Sequence, residues 1–103
     1  MNIGIDIVEC ERFDGLVNNE KIFSKSELEY ICKKNLALPT VAGLFAAKEA
    51  FFKAKGSGII KSELPKVIIG HHENGQPYYE NQPNAALSIS HTQSTAVAVC
   101  IIF

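Results

Sequence analysis

Asp6 is an acidic residue in an apolar setting. It lies between Ile5 and Ile7 in a segment whose residues alternate as they do in a strand. A carboxylate among aliphatic side chains costs free energy unless it is paired, hydrogen-bonded or bound to a metal ion. Residue spacing alone leaves another interpretation open, in which Asp6 simply faces solvent from an edge strand.

Glu49 and Lys53 form a second candidate pair. They are four residues apart in an alanine-rich segment, so a helix places them on one face. That face also carries Ala42, Ala46 and Gly56, and such small residues allow a ligand or another surface to approach closely. The alternative is an ordinary exposed ion pair that contributes about 0.3–0.5 kcal/mol.

The Gly56-Ser57-Gly58 turn follows directly after this segment. Its backbone N–H groups could face a phosphate. Glycine also ends helices, because it tolerates the left-handed conformation that a helix end requires. The turn lacks the full pattern of a P-loop, so that class of nucleotide site is excluded.

Ser90, His91 and Thr92 follow one another at the predicted end of a strand. Their hydroxyl and imidazole groups can hydrogen-bond a phosphate, and they can equally cap a turn. The surrounding sequence has no nucleophile elbow, which excludes a serine hydrolase of that type. His71 and His72 are adjacent, so on a strand they point to opposite faces and do not chelate one metal together.

The middle of the chain is rich in lysine. Such a run usually forms a solvated surface, and it can also bind an anion or an acidic partner. The residues concerned are Lys33, Lys34, Lys48, Lys53, Lys55 and Lys61.

The elements that must position these groups can be predicted from periodicity and end signals. Ser24 to Glu27 has the form of a capping box, and Asn74-Gly75 is typical of a two-residue hairpin turn, since both residues tolerate a positive φ. The last strand is apolar on both faces, which favours a position at the centre of the sheet or at an interface. The predicted strands are Met1–Val8, Val67–Ile69, Pro77–Tyr79, Leu87–Ser90 and Ala96–Phe103, and the predicted helices are Cys10–Val17, Ser24–Asn35 and Val41–Lys55, the last capped by Thr40.

This order of elements predicts an α+β fold. We expect residues 1–103 to form a single small domain in which an antiparallel sheet packs against the long central helix. The chain is 47% apolar with a net charge of -1, which gives no bulk attraction to nucleic acid or to an anionic membrane. The three cysteines have no CxxC spacing, no apolar run approaches the length of a membrane span, and no leader pattern begins the chain. These features predict reduced thiols and a cytoplasmic protein.

Three segments, taken in order, resemble the holo-[acyl-carrier-protein] synthase family of 4′-phosphopantetheinyl transferases. The resemblance extends over nearly the whole chain. No single segment identifies the family by itself, but the three together, in this order, are specific. The segments are Gly4-Ile5-Asp6-Ile7-Val8-Glu9, then Phe45-Ala46-Ala47-Lys48-Glu49-Ala50 continuing through Lys53 to Gly56-Ser57-Gly58-Ile59, and Leu87-Ser88-Ile89-Ser90-His91-Thr92.

The resemblance implies the family's fold and reaction. The enzymes of this family move 4′-phosphopantetheine from coenzyme A to a serine of apo acyl carrier protein and release 3′,5′-ADP. The reaction depends on Mg²⁺ and serves fatty-acid biosynthesis. The family commonly forms homotrimers whose sites are shared across subunit interfaces.

Residue roles follow from the same resemblance. Asp6 and Glu49 match the magnesium carboxylates and, with Lys53, the catalytic set. A hypothesis for the chemistry is that Glu49 or a water molecule on the metal takes the serine proton, while Lys53 stabilises or protonates the leaving phosphate. The expected coenzyme contacts are Lys48, Lys53, Gly56, Ser57, Gly58, Ser90, His91 and Thr92, and the expected carrier-protein contacts are Arg12 and Lys21.

The sequence also departs from the family. Leu44 stands where the family usually has arginine, which removes an expected phosphate contact. The chain is somewhat short between Arg12 and Val41 and around Glu80 to Ala85. Two other functional classes therefore stay open, a non-catalytic module that binds coenzyme A or a carrier protein, and a purely structural oligomerisation domain.

Overall fold

The computed structural model describes all 103 residues and has an α+β architecture, as the sequence predicts. Its helices are α1 (Lys25–Lys33) and α2 (Leu38–Lys55). Its strands are β1 (Asn2–Glu9), β2 (Ile69–His71), β3 (Pro77–Tyr79), β4 (Ala85–His91) and β5 (Thr95–Ile102), and two 3₁₀ segments span Cys10–Phe13 and Lys61–Lys66.

An antiparallel three-stranded sheet carries the site. Its order is β1-β5-β4, while β2 and β3 form a separate hairpin. The prediction that the last strand is central is confirmed. Asp6 pairs with Ala98 across β1 and β5, and Ser90 pairs with Val97 across β4 and β5.

Helix α2 is buried on nearly every side. It contacts β1, β5, β4, β2 and the Cys10–Phe13 segment, as an all-round apolar helix should. No helix in the structure has the length and apolarity needed to span a bilayer.

The predicted start of α2 is wrong, since the helix begins at Leu38 and Thr40 does not cap it. Pro39 lies in the first turn, where its fixed φ suits a helix and its missing N–H costs nothing.

Gly4 determines how closely β1 approaches α2. A Cβ atom on Gly4 would lie 2.0 Å from the carbonyl oxygen of Ala50 and 2.5 Å from the nitrogen of Ala54. Only a residue without a side chain allows the strand to rest directly on the helix backbone. Asp6, two residues further on the same face, is thereby brought against α2.

The buried side of β1 is the one that carries Gly4, Asp6 and Val8. The interpretation of Asp6 as a solvent-facing residue is therefore wrong, because Asp6 is only 7% exposed. Ile3, Ile5 and Ile7 instead point away from α2 and are exposed. The sheet thus has an apolar outer face that nothing in the chain covers.

Several other element boundaries differ from the prediction. The segment after β1 forms only a 3₁₀ turn at Cys10–Phe13, and β2 begins at Ile69 rather than Val67. The Val67 carbonyl lies before the strand and accepts a hydrogen bond from Lys48. The capping box of α1 is confirmed, since Ser24 Oγ accepts from the Glu27 N–H and a Glu27 oxygen accepts from the Ser24 N–H.

Candidate functional site

The centre of the candidate site is a pair of carboxylates, one from β1 and one from α2. Asp6 and Glu49 are 7% and 9% exposed, and they lie close enough to interact directly. Asp6 Oδ2 is buried and has no hydrogen-bond partner. Two buried acids that face each other, one with an orphaned oxygen, are poorly satisfied by the protein alone.

The environment of Glu49 changes its acidity. Burial, and then the neighbouring Asp6 carboxylate, raise the pKa of Glu49 to about 7, although Arg12 and Lys53 act in the opposite direction. Ionising both carboxylates at once therefore costs free energy, because two negative charges are then buried side by side. A cation placed between them would remove that cost.

Lys53 lies beside this pair, as its spacing from Glu49 suggested. Its Nζ atom donates to Asp6 Oδ1 at 3.1 Å and to the Ile5 carbonyl oxygen at 3.0 Å. The lysine side chain is half exposed, so its ammonium group reaches from solvent into the site. Asp6, Glu49 and Lys53 are thus brought together, and the alternative of an isolated exposed Glu49–Lys53 ion pair is wrong.

The residues present fit a magnesium ion. Mg²⁺ binds hard oxygen ligands, typically through one or two carboxylates together with water and substrate phosphates. Asp6 Oδ2 supplies an unused buried oxygen, and Glu49 supplies a second carboxylate. No cluster of three or more His, Cys, Asp or Glu side chains occurs in the structure, so a cage made of protein ligands alone, as for zinc, is not available.

The raised pKa of Glu49 predicts a pH-dependent stability in the absence of divalent metal. The folded pKa of about 7 exceeds the ordinary 4.5, so this stabilisation is fully present below about pH 4.5 and is lost as the pH rises through 7. We expect stability in EDTA to fall by roughly 2–3 kcal/mol more from pH 5 to pH 8 in the wild-type chain than in Glu49→Gln, which cannot ionise.

Thermal or urea unfolding of both proteins across this pH range checks the prediction. Groups other than Glu49 affect both proteins equally and cancel in the difference. A difference between the two proteins that does not change with pH would contradict the assigned environment of Glu49.

Glu49 also lines a cavity of about 610 Å³. Arg12 and Lys21 stand at the same cavity with Lys61, and the wall is otherwise largely apolar. The Arg12 guanidinium lies over the Phe45 ring at 5.4 Å from its centroid, which fixes its position at the rim. We call this space the Glu49 cavity, and its lining residues are Arg12, Lys21, Ile22, Phe45, Glu49, Ile59, Lys61, Ser62, Leu64 and Pro65.

Lys48 does not have the expected role. Its side chain is 0% exposed and pairs with Glu27 at 2.6 Å. Burial lowers the pKa of Lys48, and the charge of Glu27 partly offsets that effect. A lysine enclosed in this way cannot contact a coenzyme, so the prediction that Lys48 binds coenzyme A is corrected.

The glycine turn mainly ends α2. Gly56 adopts the left-handed conformation with φ 76°, and the N–H groups of Gly56 and Ser57 donate to the carbonyls of Lys53 and Phe52. Those two N–H groups are therefore already used by the helix end. The Gly58 N–H donates to no backbone carbonyl and is the one backbone donor that the turn leaves for an anion.

Ser90, His91 and Thr92 lie apart from the carboxylate pair. The Thr92 side chain accepts hydrogen bonds from the N–H groups of Ser94 and Thr95, so it caps the turn between β4 and β5. His91 lines a different cavity of about 180 Å³. Ser90 is exposed and lies in register with Val97 and Ile7, on the outer face of the sheet.

Leu44 also lies away from the carboxylates. It is 2% exposed and lines the cavity of His91.

The sequence reasoning missed Glu27 and the apolar wall of the Glu49 cavity. The capping box identified Glu27 as a helix cap, but no local signal reveals a partner as distant in the chain as Lys48.

Comparison with known proteins gives one consistent family. The family model of the 4′-phosphopantetheinyl transferase superfamily matches residues 2–100. The chain is 38% identical to a holo-[acyl-carrier-protein] synthase of Treponema denticola, over 99% of this chain and 97% of that protein.

Two solved structures show the same fold. One is a holo-(acyl-carrier-protein) synthase from Bacillus anthracis in complex with CoA (3′,5′-ADP), with a TM-score of 0.84, 33% identity, and coverage of 98% of this chain and 94% of that chain. The other is the Helicobacter pylori holo-[acyl-carrier-protein] synthase in complex with coenzyme A, with a TM-score of 0.81, 30% identity, and coverage of 98% and 99%.

Proposed function

The chain belongs to the 4′-phosphopantetheinyl transferase superfamily, and we propose that it transfers 4′-phosphopantetheine from coenzyme A to a serine of an apo acyl carrier protein. The observation that carries the proposal is the buried Asp6–Glu49 pair with Lys53 beside it. Relatives that match over nearly the full chain are holo-[acyl-carrier-protein] synthases. Two similar structures contain coenzyme A or its 3′,5′-ADP part.

Asp6 and Glu49 would hold a Mg²⁺ ion. When bound there, magnesium supplies positive charge against the pyrophosphate of the coenzyme. The orphaned Asp6 Oδ2 and the raised pKa of Glu49 support this assignment. Most of the rate acceleration in such a transfer comes from positioning and electrostatics rather than from covalent chemistry with the enzyme.

The side chains around the pair have distinct roles in the proposed step. The serine oxygen of the carrier attacks the β-phosphorus, the bond from that phosphorus to the departing 3′,5′-ADP breaks, and the serine proton passes to Glu49. Asp6 already accepts a hydrogen bond from Lys53, which makes Glu49 the better acceptor of the two. Lys53 is half exposed, so its ammonium group can stabilise negative charge on the departing phosphate.

The Glu49 cavity suits the carrier protein. Its rim carries Arg12, Lys21 and Lys61, while its wall is apolar. An acidic helix that presents an apolar side chain would be complementary in both charge and hydrophobicity. The serine to be modified would then lie near Glu49, which opens onto the same cavity.

We further propose that the active form is a homotrimer. The outer face of the sheet exposes Ile3, Ile5 and Ile7, with Val99 and Ile101 of β5 beside them, and an apolar patch of this kind commonly marks an interface. Asp6 points toward α2, whereas Ser90 lies on the opposite face. A coenzyme that contacts both residues would therefore lie between two copies of the chain.

The substitution Ile5→Lys tests this assembly. A lysine in the middle of the outer face would be buried without a partner in the assembly, so we expect the variant to be monomeric and to lose most of its transferase activity. Light scattering after size-exclusion chromatography should give three times the 11.3 kDa of one chain for the wild type. Leu36→Lys is the matched control, since Leu36 is also exposed but lies outside the sheet. A monomeric wild type, or a trimeric Ile5→Lys variant, would contradict the assembly.

We propose that residues 1–103 work as a single domain in the cytoplasm and act on neither nucleic acid nor membranes. Cys10, Cys32 and Cys100 are all free thiols, which is consistent with a reducing compartment. The net charge of -1 offers no general attraction to polyanions.

One alternative has an observation in its favour. Leu44 is buried and supplies no charge for a coenzyme phosphate, which favours a module that binds coenzyme A or a carrier protein without turnover. The two functions can be distinguished by using chromatography to measure the release of 3′,5′-ADP from coenzyme A. Release that requires both the apo carrier and Mg²⁺ supports the transferase, whereas coenzyme binding without release supports the module.

A further inference from the structure

The most completely enclosed charges in the molecule are those of Lys48 and Glu27, and the proposed reaction uses neither. Both side chains are 0% exposed. The Lys48 ammonium donates to Glu27 Oε1 at 2.6 Å and to the carbonyl oxygens of Leu64 and Val67, each at 2.7 Å. All three of its protons are therefore used, and they connect α2 to two other parts of the chain.

Glu27 extends the same network. Its Oε1 atom also accepts from the Ser24 N–H at 2.8 Å, and its Oε2 atom accepts from the Ile69 N–H at 2.9 Å. The Phe23 ring lies against Lys48, with its centroid 5.8 Å from Nζ. One ion pair thus joins residues 23–27, α2 and residues 64–69.

These connections support the two sides of the Glu49 cavity. We define wall A as residues 21–24 and wall B as residues 59–67. Wall A lines the cavity with Lys21 and Ile22, and wall B lines it with Ile59, Lys61, Ser62, Leu64 and Pro65. Phe45 and Glu49 of α2 also line the cavity. Lys48, next to Glu49 in the chain, bonds to Leu64 and Val67 of wall B and lies over Phe23 of wall A.

We propose that the buried Lys48–Glu27 pair is a positioning device that holds walls A and B at a fixed separation on either side of the Glu49 cavity. This inference rests on the proposed function, because it assigns the cavity to the carrier protein. Lys48 and Glu27 touch neither substrate nor metal and act only through the walls.

An ion pair suits this role better than an apolar contact. Replacing a buried ion pair with apolar residues of similar size is often neutral for stability. Apolar side chains, however, cannot bond to the Leu64 and Val67 carbonyls or to the Ser24 and Ile69 N–H groups. The pair therefore fixes geometry that hydrophobic packing alone leaves free.

Hydrogen exchange of the wild-type chain gives the first test and needs no variant. The N–H groups of Ser24 and Ile69 are bonded to Glu27, so we expect their exchange to be as slow as that of the α2 core. If both N–H groups exchange as fast as those of exposed loops, the network does not hold the walls and the proposal is overturned.

The double variant Glu27→Met/Lys48→Met gives the second test. It removes both charges together and so avoids leaving one unpaired buried charge. We expect faster exchange in walls A and B with α2 unchanged, and a rise of about tenfold in the KM for the apo carrier with kcat changed by less than about threefold. Glu63→Met/Lys66→Met is the matched control, because it removes a partly exposed ion pair whose two side chains do not line the Glu49 cavity. It should change neither the exchange rates of the walls nor the KM.

The outcomes separate this inference from the proposed function. If the wild-type chain transfers nothing, the proposed function fails, while the exchange data still decide whether the pair holds the walls. If the wild type transfers and the folded double variant keeps the wild-type exchange rates and KM, the positioning role is wrong. If the double variant does not fold, the exchange of Ser24 and Ile69 in the wild type decides the question.

Discussion

Asp6→Ala is expected to lower the rate of phosphopantetheine transfer by about 1,000-fold or more, and Glu49→Ala is expected to do the same. Either change leaves one carboxylate where two face each other in the space between β1 and α2. Magnesium demands a nearly ideal octahedral set of oxygens and gives up its water ligands reluctantly. A single remaining carboxylate should therefore bind it too weakly to hold it beside the coenzyme.

The stability of the Asp6→Ala variant distinguishes loss of the site from loss of the fold. Removing Asp6 also removes the neighbour that, after burial, contributes most to the raised pKa of Glu49. The metal-free variant should therefore be about as stable as the wild type at pH 8, while Mg²⁺ should raise the melting temperature of the wild type and leave that of the variant unchanged. Glu9→Ala is the control, since Glu9 is on the same strand but exposed. An active Asp6→Ala variant would exclude Asp6 from the metal site.

Gly4→Ala is expected to destabilise the chain by about 3 kcal/mol or more, the largest effect we predict for a single added methyl group. The new Cβ would lie 2.0 Å from the Ala50 carbonyl oxygen and 2.5 Å from the Ala54 nitrogen. Both are backbone atoms, so no change of rotamer relieves the overlap and β1 must move away from α2. A domain of this size has a total stability of only about 5–15 kcal/mol.

Gly43→Ala is the matched control. Its new Cβ would meet only the Ile89 side chain, at 3.1 Å, and alanine favours a helix over glycine by about 1 kcal/mol. Urea unfolding should therefore place Gly43→Ala within about 1 kcal/mol of the wild type and Gly4→Ala far below it. Equal stabilities for the two variants would show that β1 does not rest on α2 as described.

Local signals in the sequence predicted the local parts of the fold. The capping box predicted the start of α1, and the alanine-rich segment predicted most of α2. Asn74-Gly75 predicted the β2–β3 hairpin, but the hydrogen-bonded turn runs from His72 to Gly75, and only Gly75 of the pair has a positive φ. The buried side of β1 could not be predicted in this way, because it depends on the close packing of the strand on α2 that Gly4 permits. An apolar side of a strand does not reveal whether it faces the chain's own core or a partner.

The candidate site was predictable only in part. Spacing placed Glu49 and Lys53 on one face, and its apolar setting singled out Asp6. The family resemblance grouped the three residues, and the structure brings Asp6 to Lys53 at 3.1 Å. The same reasoning assigned Lys48 to the coenzyme and was wrong. Its partners, Glu27 and the Leu64 and Val67 carbonyls, are 16 to 21 residues away in the chain, and only the tertiary structure brings them together.

The most direct test of the account is the intact mass of an apo acyl carrier protein after incubation with this chain, coenzyme A and Mg²⁺. We predict a gain of one phosphopantetheine group, which is lost with EDTA, with Asp6→Ala, with Glu49→Ala, and with a carrier whose modified serine is replaced by alanine. If several apo carriers gain no mass from the well-folded protein, or if the gain persists in EDTA, the magnesium-dependent transfer that we assign to Asp6 and Glu49 is wrong.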